Sequence, residues 1–148
     1  MKRALLSVCF LLVFLASSAS GAANLVDIAE TATLEQIRQA VQGGADVNAV
    51  DAVGRSVLML AATTNPDPAV ITTLVKAGAK VNFRGPRAWT ALMMAAYNNP
   101  NPAVVEALLA AGASGKLKSD VGYTAFSYAQ ENDKLRGTAA YTKLRAAQ

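Results

Sequence analysis

The 148-residue chain contains no histidine and a single cysteine, Cys9. Without histidine, no serine or cysteine nucleophile can use an imidazole base, and no Cys/His zinc site can be assembled. One thiol closes no disulfide within the chain. Aromatic residues make up 6% of the sequence and charged residues 16%, with fourteen basic and ten acidic side chains giving a net charge of +4. That balance is not a nucleic-acid-binding signature. No Asn-x-Ser/Thr acceptor is present, so glycosylation gives no hint of compartment. Against these shortages stands a hydrophobic fraction of 53%. It has two sources, an apolar N-terminal segment and a large amount of alanine.

Met1-Lys2-Arg3 is a short basic start, Ala4 to Ala16 is an uncharged and mainly apolar run of 13 residues, and Ser17 to Ala23 are all small. This is the layout of a secretory signal peptide. A membrane-spanning helix needs about 20 apolar residues, more than this run supplies. Ala19/Gly21 and Ser20/Ala22 both satisfy the small-x-small cleavage rule, which predicts a signal peptide over residues 1–22 and a mature chain over 23–148. Leu6-Ser7-Val8-Cys9 is a poor lipoprotein box, because it precedes most of the apolar run and Val8 is too large. Cleavage would remove Cys9, Lys2 and Arg3. Fourteen basic residues less two leaves twelve against ten acidic, a net charge of +2 on a thiol-free chain with no stable membrane anchor. The expected location is periplasmic or secreted.

The mature part repeats at 34 residues. Ser56–Ala79 laid over Thr90–Ala113 gives 13 identities in 24 positions, including Leu58/Leu92, Met59/Met93, Asn65-Pro66/Asn99-Pro100 and Gly78-Ala79/Gly112-Ala113. Thr124-Ala125-Phe126 and Ala129 begin a further copy at the same offset, and Gly44-Ala45-Asp46-Val47-Asn48 ends an earlier one. A period of this length marks a stack of supersecondary units. Within each unit, Ser56 or Thr90 caps a short alanine-rich helix. Asn65-Pro66 or Asn99-Pro100 stops it, because the residue before proline avoids helical dihedrals. Asp67-Pro68 or Asn101-Pro102 starts a second helix, with the cap followed by proline at the first helical position. Val70, Ile71, Leu74 and Val75, or Val104, Val105, Leu108 and Leu109, recur at helical spacing, and Gly78 or Gly112 ends the helix. Thr33-Leu34-Glu35-Gln36 reads as a capping box, preceded by a short helix carrying Leu25, Ile28 and Ala29. Tyr123–Glu131 and Gly137–Ala147 read as the last two helices, with Tyr141 and Leu144 facing inward.

These motifs resemble the ankyrin repeat family. Asp51-Ala52-Val53-Gly54 matches its opening turn, Ser56–Ala62 and Thr90–Ala96 its first helix, and Gly44–Asn48 and Gly78–Asn82 its ending. The resemblance implies an all-α solenoid of about four helix-turn-helix units with hairpin-like connectors. The units are an N-terminal cap over 23–48, repeats over 49–82 and 83–116, and a C-terminal cap over 117–148. Met59, Met93 and Ser127 stand where the family has histidine. The Asn-Pro-Asp-Pro turn is one residue longer than the family norm. Gly85-Pro86-Arg87-Ala88 lacks both the Asp and the Gly of the opening, so a different turn is expected before Trp89. The Asn-Pro-x-Pro-x-Val-Val form looks like a subgroup of exported bacterial ankyrin proteins.

No catalytic constellation is legible. The carboxylates are scattered over caps and loops, and Asp46 and Asp51 read as turn hydrogen-bonders. Gly112–Lys116 resembles part of a phosphate loop but lacks the first glycine, and Leu117 replaces the Ser/Thr that would bind magnesium. No enzyme activity, cofactor or metal is expected. The resemblance instead implies protein binding on the connectors and on the exposed face of each first helix. The corresponding positions are Val50, Ala52, Val53, Arg55, Thr63 and Thr64 in one unit, and Arg84, Pro86, Arg87, Trp89, Tyr97 and Asn98 in the next. Lys118, Asp120, Val121, Tyr123, Glu131 and Asn132 follow in the last. Among them Arg55, Arg84, Arg87, Trp89, Tyr97, Lys118 and Tyr123 are the partner-binding candidates, since exposed Trp, Tyr and Arg dominate interface energetics. Trp89 and Tyr123 have a second reading, stacking between neighbouring units. Lys80, Arg84, Arg87, Lys116 and Lys118 concentrate positive charge on the connectors, which fits either an acidic patch on a partner or simple solvation. The expected protein is a monomeric, exported binding module that regulates, protects or scaffolds an envelope protein. An immunity-type inhibitor of an exported enzyme or toxin is the alternative, and an enzyme the least favoured reading.

Overall fold

A computed structural model describes residues 24–148. The signal peptide expected over 1–22 lies outside the described residues. Eight α-helices form among those described: α1 (Leu25–Ile28), α2 (Leu34–Gln42), α3 (Val57–Thr64), α4 (Pro68–Lys76), α5 (Ala91–Asn98), α6 (Pro102–Ala110), α7 (Ala125–Ala129) and α8 (Ala139–Ala146). They pack as two parallel files. The inner file is α1, α3, α5 and α7, and the outer file is α2, α4, α6 and α8.

The inner helices are short because caps fix both ends. Ser56 and Thr90 accept from the amides of Met59 and Met93, and Asn65 and Asn99 follow in extended conformation ahead of proline. Six consecutive residues of α3, Val57 to Ala62, are buried. A helix apolar on every side is one enclosed by neighbours, and here α1, α4 and α5 enclose it. Alanine at Ala61, Ala62, Ala95 and Ala96 lets the inner helices approach closely at no cost in helix propensity. The outer helices end alike. In α4, the Gly78 amide donates to Val75 and the Ala79 amide to Leu74, and Gly78 sits at φ +100°. This left-handed closure is what glycine permits.

The capping box at Thr33/Gln36 is present. The C-terminal helices are shorter than the periodicity predicts, because Thr124 and Thr138 are extended and cap Ser127 and Tyr141. Tyr123 therefore belongs to a connector rather than to a helix. Leu144 is fully buried, while Tyr141 is half-buried and stacks on Phe126 with ring centroids 5.0 Å apart. Gly115 admits this last helix. A Cβ there would lie 2.6 Å from the Ala147 carbonyl oxygen.

Sequence periodicity shows Asn65 and Asn99 only as helix stops, yet they also join the units. Asn65 Nδ2 donates to the carbonyls of Ala29 (3.1 Å) and Ala32 (2.9 Å) of the unit before, and its Oδ1 accepts from the Asp67 amide. Asn99 repeats this with Ala62, Asn65 and Asn101. Asn132 does so with Ala96, Asn99 and Lys134. Asn132, expected on the exposed binding face, is buried in this ladder instead. A second pair bridges the outer ends, where Asn48 spans Gly78 and Lys80, and Asn82 spans Gly112 and Ser114.

Each buried donor or acceptor left unsatisfied costs about 1–3 kcal/mol. Asn99→Ala strands the Ala62 and Asn65 carbonyls and the Asn101 amide, so it should destabilise the fold by about 3 kcal/mol or more in denaturant unfolding. Asn98→Ala, one residue away and exposed, should cost about 0.5 kcal/mol or less.

Candidate functional site

Three connectors project from the inner file as fingers. In the first, the Asp51 amide donates to the Arg55 carbonyl, and Val50 and Ser56 form an antiparallel bridge. The Asp51 carboxylate accepts from the Val53 and Arg55 amides (3.0 and 2.8 Å) and from Arg55 Nε at 2.7 Å. Desolvation opposes ionisation of Asp51, but these hydrogen bonds, with the guanidinium charge, outweigh it and hold the carboxyl below its ordinary value. Arg55 also reaches Glu30 at 3.6 Å. Asp46 caps the Asn48 amide. Both aspartates are thus turn hydrogen-bonders.

The second finger keeps the closure without the residues that make it in the first. The Gly85 amide donates to Trp89, as Asp51 does to Arg55 and Ser119 to Tyr123. Gly54 and Gly122 take positive φ at the turn, +95° and +84°. The equivalent residue here is Ala88, at φ +56°, preceded by Arg87 also at +56°. The different turn expected before Trp89 is this extra left-handed residue in an otherwise shared closure. Gly85 has its own role, because a Cβ there would come within 2.8 Å of the Met59 sulfur and terminal methyl. Methionine in place of the family's histidine and glycine in place of its aspartate therefore accommodate one another across units.

The Arg87 turn ties the second finger to the third. The Arg87 carbonyl accepts from the Asp120 amide at 3.0 Å, and Arg87 Nε lies 3.5 Å from the Asp120 carboxylate. Arg84 donates to the Lys118 carbonyl at 2.9 Å. Lys80, Arg84, Lys116 and Lys118 are exposed and form no ion pair among the described residues.

Behind the fingers, Trp89 divides two adjoining recesses. The smaller, about 190 Å³, is lined by Val53, Arg55, Pro86, Arg87, Trp89 and Met94. The larger, about 380 Å³, is lined by Arg87, Trp89, Tyr97, Val121, Tyr123, Tyr128 and Glu131. Trp89 is half-buried and packs on Tyr128 at 4.4 Å. It meets Tyr97 edge-on at 5.7 Å. Tyr128 is 8% exposed, and its hydroxyl donates to Ser119 Oγ. Tyr97 and Tyr123 remain 49% and 52% exposed. The structure thus gathers Arg55, Arg87, Trp89, Tyr97 and Tyr123 around one surface and places Arg84 and Lys118 together on the fingers beside it. Tyr128 and Glu131 complete the larger recess. Tyr128 escapes candidate selection from sequence because its helical phase reads as core, although the 34-residue offset places it at the position of Leu60 and Met94.

No group of metal-ligating side chains occurs among the described residues, and none of the described helices is long and apolar enough to cross a membrane. The model of the ankyrin repeats matches the chain over residues 25–119 and 58–138, with three copies. The chain belongs to the ankyrin repeat family. No curated protein matches it in sequence. Ankyrin repeats are protein–protein interaction modules, generally without catalytic activity.

A non-glycine residue in the left-handed region costs about 1–2 kcal/mol, part of which glycine's own entropy offsets. Ala88→Gly should therefore raise the stability of this ankyrin domain by about 0.5–1 kcal/mol in thermal or denaturant unfolding. Gly54→Ala should lower it by a similar amount.

Proposed function

We propose that this ankyrin protein is an exported, non-catalytic binding module that grips a protein partner with the surface around Trp89 and thereby regulates, protects or scaffolds an envelope protein. The observation that carries this reading is the convergence of the lone tryptophan and three of the four tyrosines on one surface. Solenoids present such faces as extended binding surfaces, and half-exposed aromatics in a recess are the usual anchors of an interface. The basic N-terminal start, apolar run and small-residue cleavage region support export through a signal peptide. The uncompensated cations Lys80, Arg84, Lys116 and Lys118 favour a partner with acidic residues opposite the finger tips. The protein acts as a monomer in this reading.

The test is affinity capture from an envelope extract, followed by quantitative binding of the partner identified. Tyr97→Ala and Tyr123→Ala should each weaken binding by about tenfold or more and leave thermal unfolding close to wild type. Arg145→Ala, on the outer file, should leave binding unchanged. Full binding by the tyrosine variants, or equal loss with Arg145→Ala, would remove the assignment of this surface.

A further inference from the structure

The larger recess has a chemistry that the protein-binding reading leaves undefined. In a chain with nine aromatic residues, four of them, Trp89, Tyr97, Tyr123 and Tyr128, line this one depression. Their rings do not close into a parallel stack. Trp89 and Tyr97 stand at 85°, Tyr97 and Tyr128 at 81°, and Tyr123 and Tyr128 at 67°, with centroids 5.7 to 6.0 Å apart. These rings touch one another, as do Trp89 and Tyr128 at 4.4 Å and 42°, so the space for a ligand is the open depression of about 380 Å³ that they border. Aromatic faces carry the negative end of the ring quadrupole. A cation over those faces is attracted, most strongly over tryptophan.

The two charged lining residues point the same way. Arg87 is paired with Asp120 at 3.5 Å, an exposed contact that offsets part of its charge. Glu131 is exposed and has no cationic partner among the described residues. Its carboxylate is therefore the lining charge without an ion-pair partner among the described residues, and it is negative. Val121 and the tyrosine rings add apolar surface along which an aliphatic stem can lie, with its charged head toward the rings.

We infer that this recess receives a basic side chain, an arginine or lysine of the protein partner, held by cation–π contact with Trp89, Tyr97 and Tyr123 and by the Glu131 carboxylate. The source of the side chain rests on the proposed protein-binding function, but the chemistry of the recess can be tested without the partner. It also divides the surface. The finger tips present positive charge, while the recess behind them takes positive charge, so a fitting epitope carries a basic residue beside acidic ones.

Trp89 is the single tryptophan and borders both recesses, so its emission in the purified full chain reports on this surface, and the Glu131 and Tyr123 variants assign a response to the larger recess. At low ionic strength the emission is titrated with N-acetyl-arginine amide, N-acetyl-lysine amide, the neutral N-acetyl-norleucine amide and the anionic N-acetyl-glutamate amide. Either basic probe should give a saturable change and bind about threefold or more tighter than norleucine. Glu131→Gln and Tyr123→Leu should each weaken the basic probe by a similar factor, with unchanged circular dichroism and melting. Arg87→Ala should bind it as well or better. Norleucine binding as tightly as both basic probes would reduce the recess to an apolar groove. Preferred glutamate binding, lost in Arg87→Ala, would reverse the assignment, and absence of saturation by both basic probes would end it. Loss of partner capture in the tyrosine variants without any cation response would leave the binding surface in place and overturn only the cation assignment.

Discussion

The rest of the structure depends on one recurring buried asparagine. A thin helix pair cannot enclose its own carbonyls at the turn between helices, and a buried carbonyl without a donor is costly. Asn65, Asn99 and Asn132 solve this by lending two donors to the unit before and one acceptor to their own turn. The bonds have directional geometry, so they set the translation between units more sharply than alanine packing can. Each rung also accepts the next, because the Asn65 and Asn99 carbonyls are themselves acceptors for Asn99 and Asn132. Stability in such a stack is a property of neighbours in contact.

The aromatic recess inherits that spacing. Trp89 and Tyr97 come from one unit, and Tyr123, Tyr128 and Glu131 from the next. Neither set encloses a recess alone. The joint is reinforced at the finger level, where Arg87, in the left-handed backbone region that glycine adopts most readily, presents its carbonyl to Asp120. Local strain of this kind persists where surrounding contacts over-determine it. Here those contacts are the Asp120 amide, the Arg84–Lys118 bond and the packing of Trp89 on Tyr128. The outer file is tied at the same joint, through the Lys143–Glu106 ion pair between α8 and α6.

Much of this was legible in the chain itself. The 34-residue period, the caps at Ser56 and Thr90, the Asp-Pro and Asn-Pro restarts and the glycine stops all act within a few residues. A sequence displays such features directly, and the all-α stack of paired helices follows from them. Gly85-Pro86-Arg87-Ala88 was visible as a departure, although not that Ala88 keeps the conformation glycine has at positions 54 and 122. Less legible was whatever acts across units. Asn65 and Asn99 advertise themselves as residues before proline, and nothing local tells of carbonyls 33 to 37 positions away. Asn132 was misplaced on the binding face for the same reason, because no proline follows it. Tyr128 looked like core, since helical phase reports burial toward the stack but not which neighbour's ring covers it. Glu131 was among the candidate contact positions, but its freedom from an ion pair emerges only once Arg87 is seen facing Asp120.

Buried asparagines lock adjacent units and so hold the two halves of the aromatic recess in register. Native-state amide hydrogen exchange on Asn132→Ala tests this most directly, because exchange resolves the stability of separate parts of one molecule. Protection should fall selectively in α7 and α8, by a factor of about ten or more, with α3 and α4 nearly unchanged. Unaltered protection in α7 and α8, or an equal loss across all helices, would contradict it.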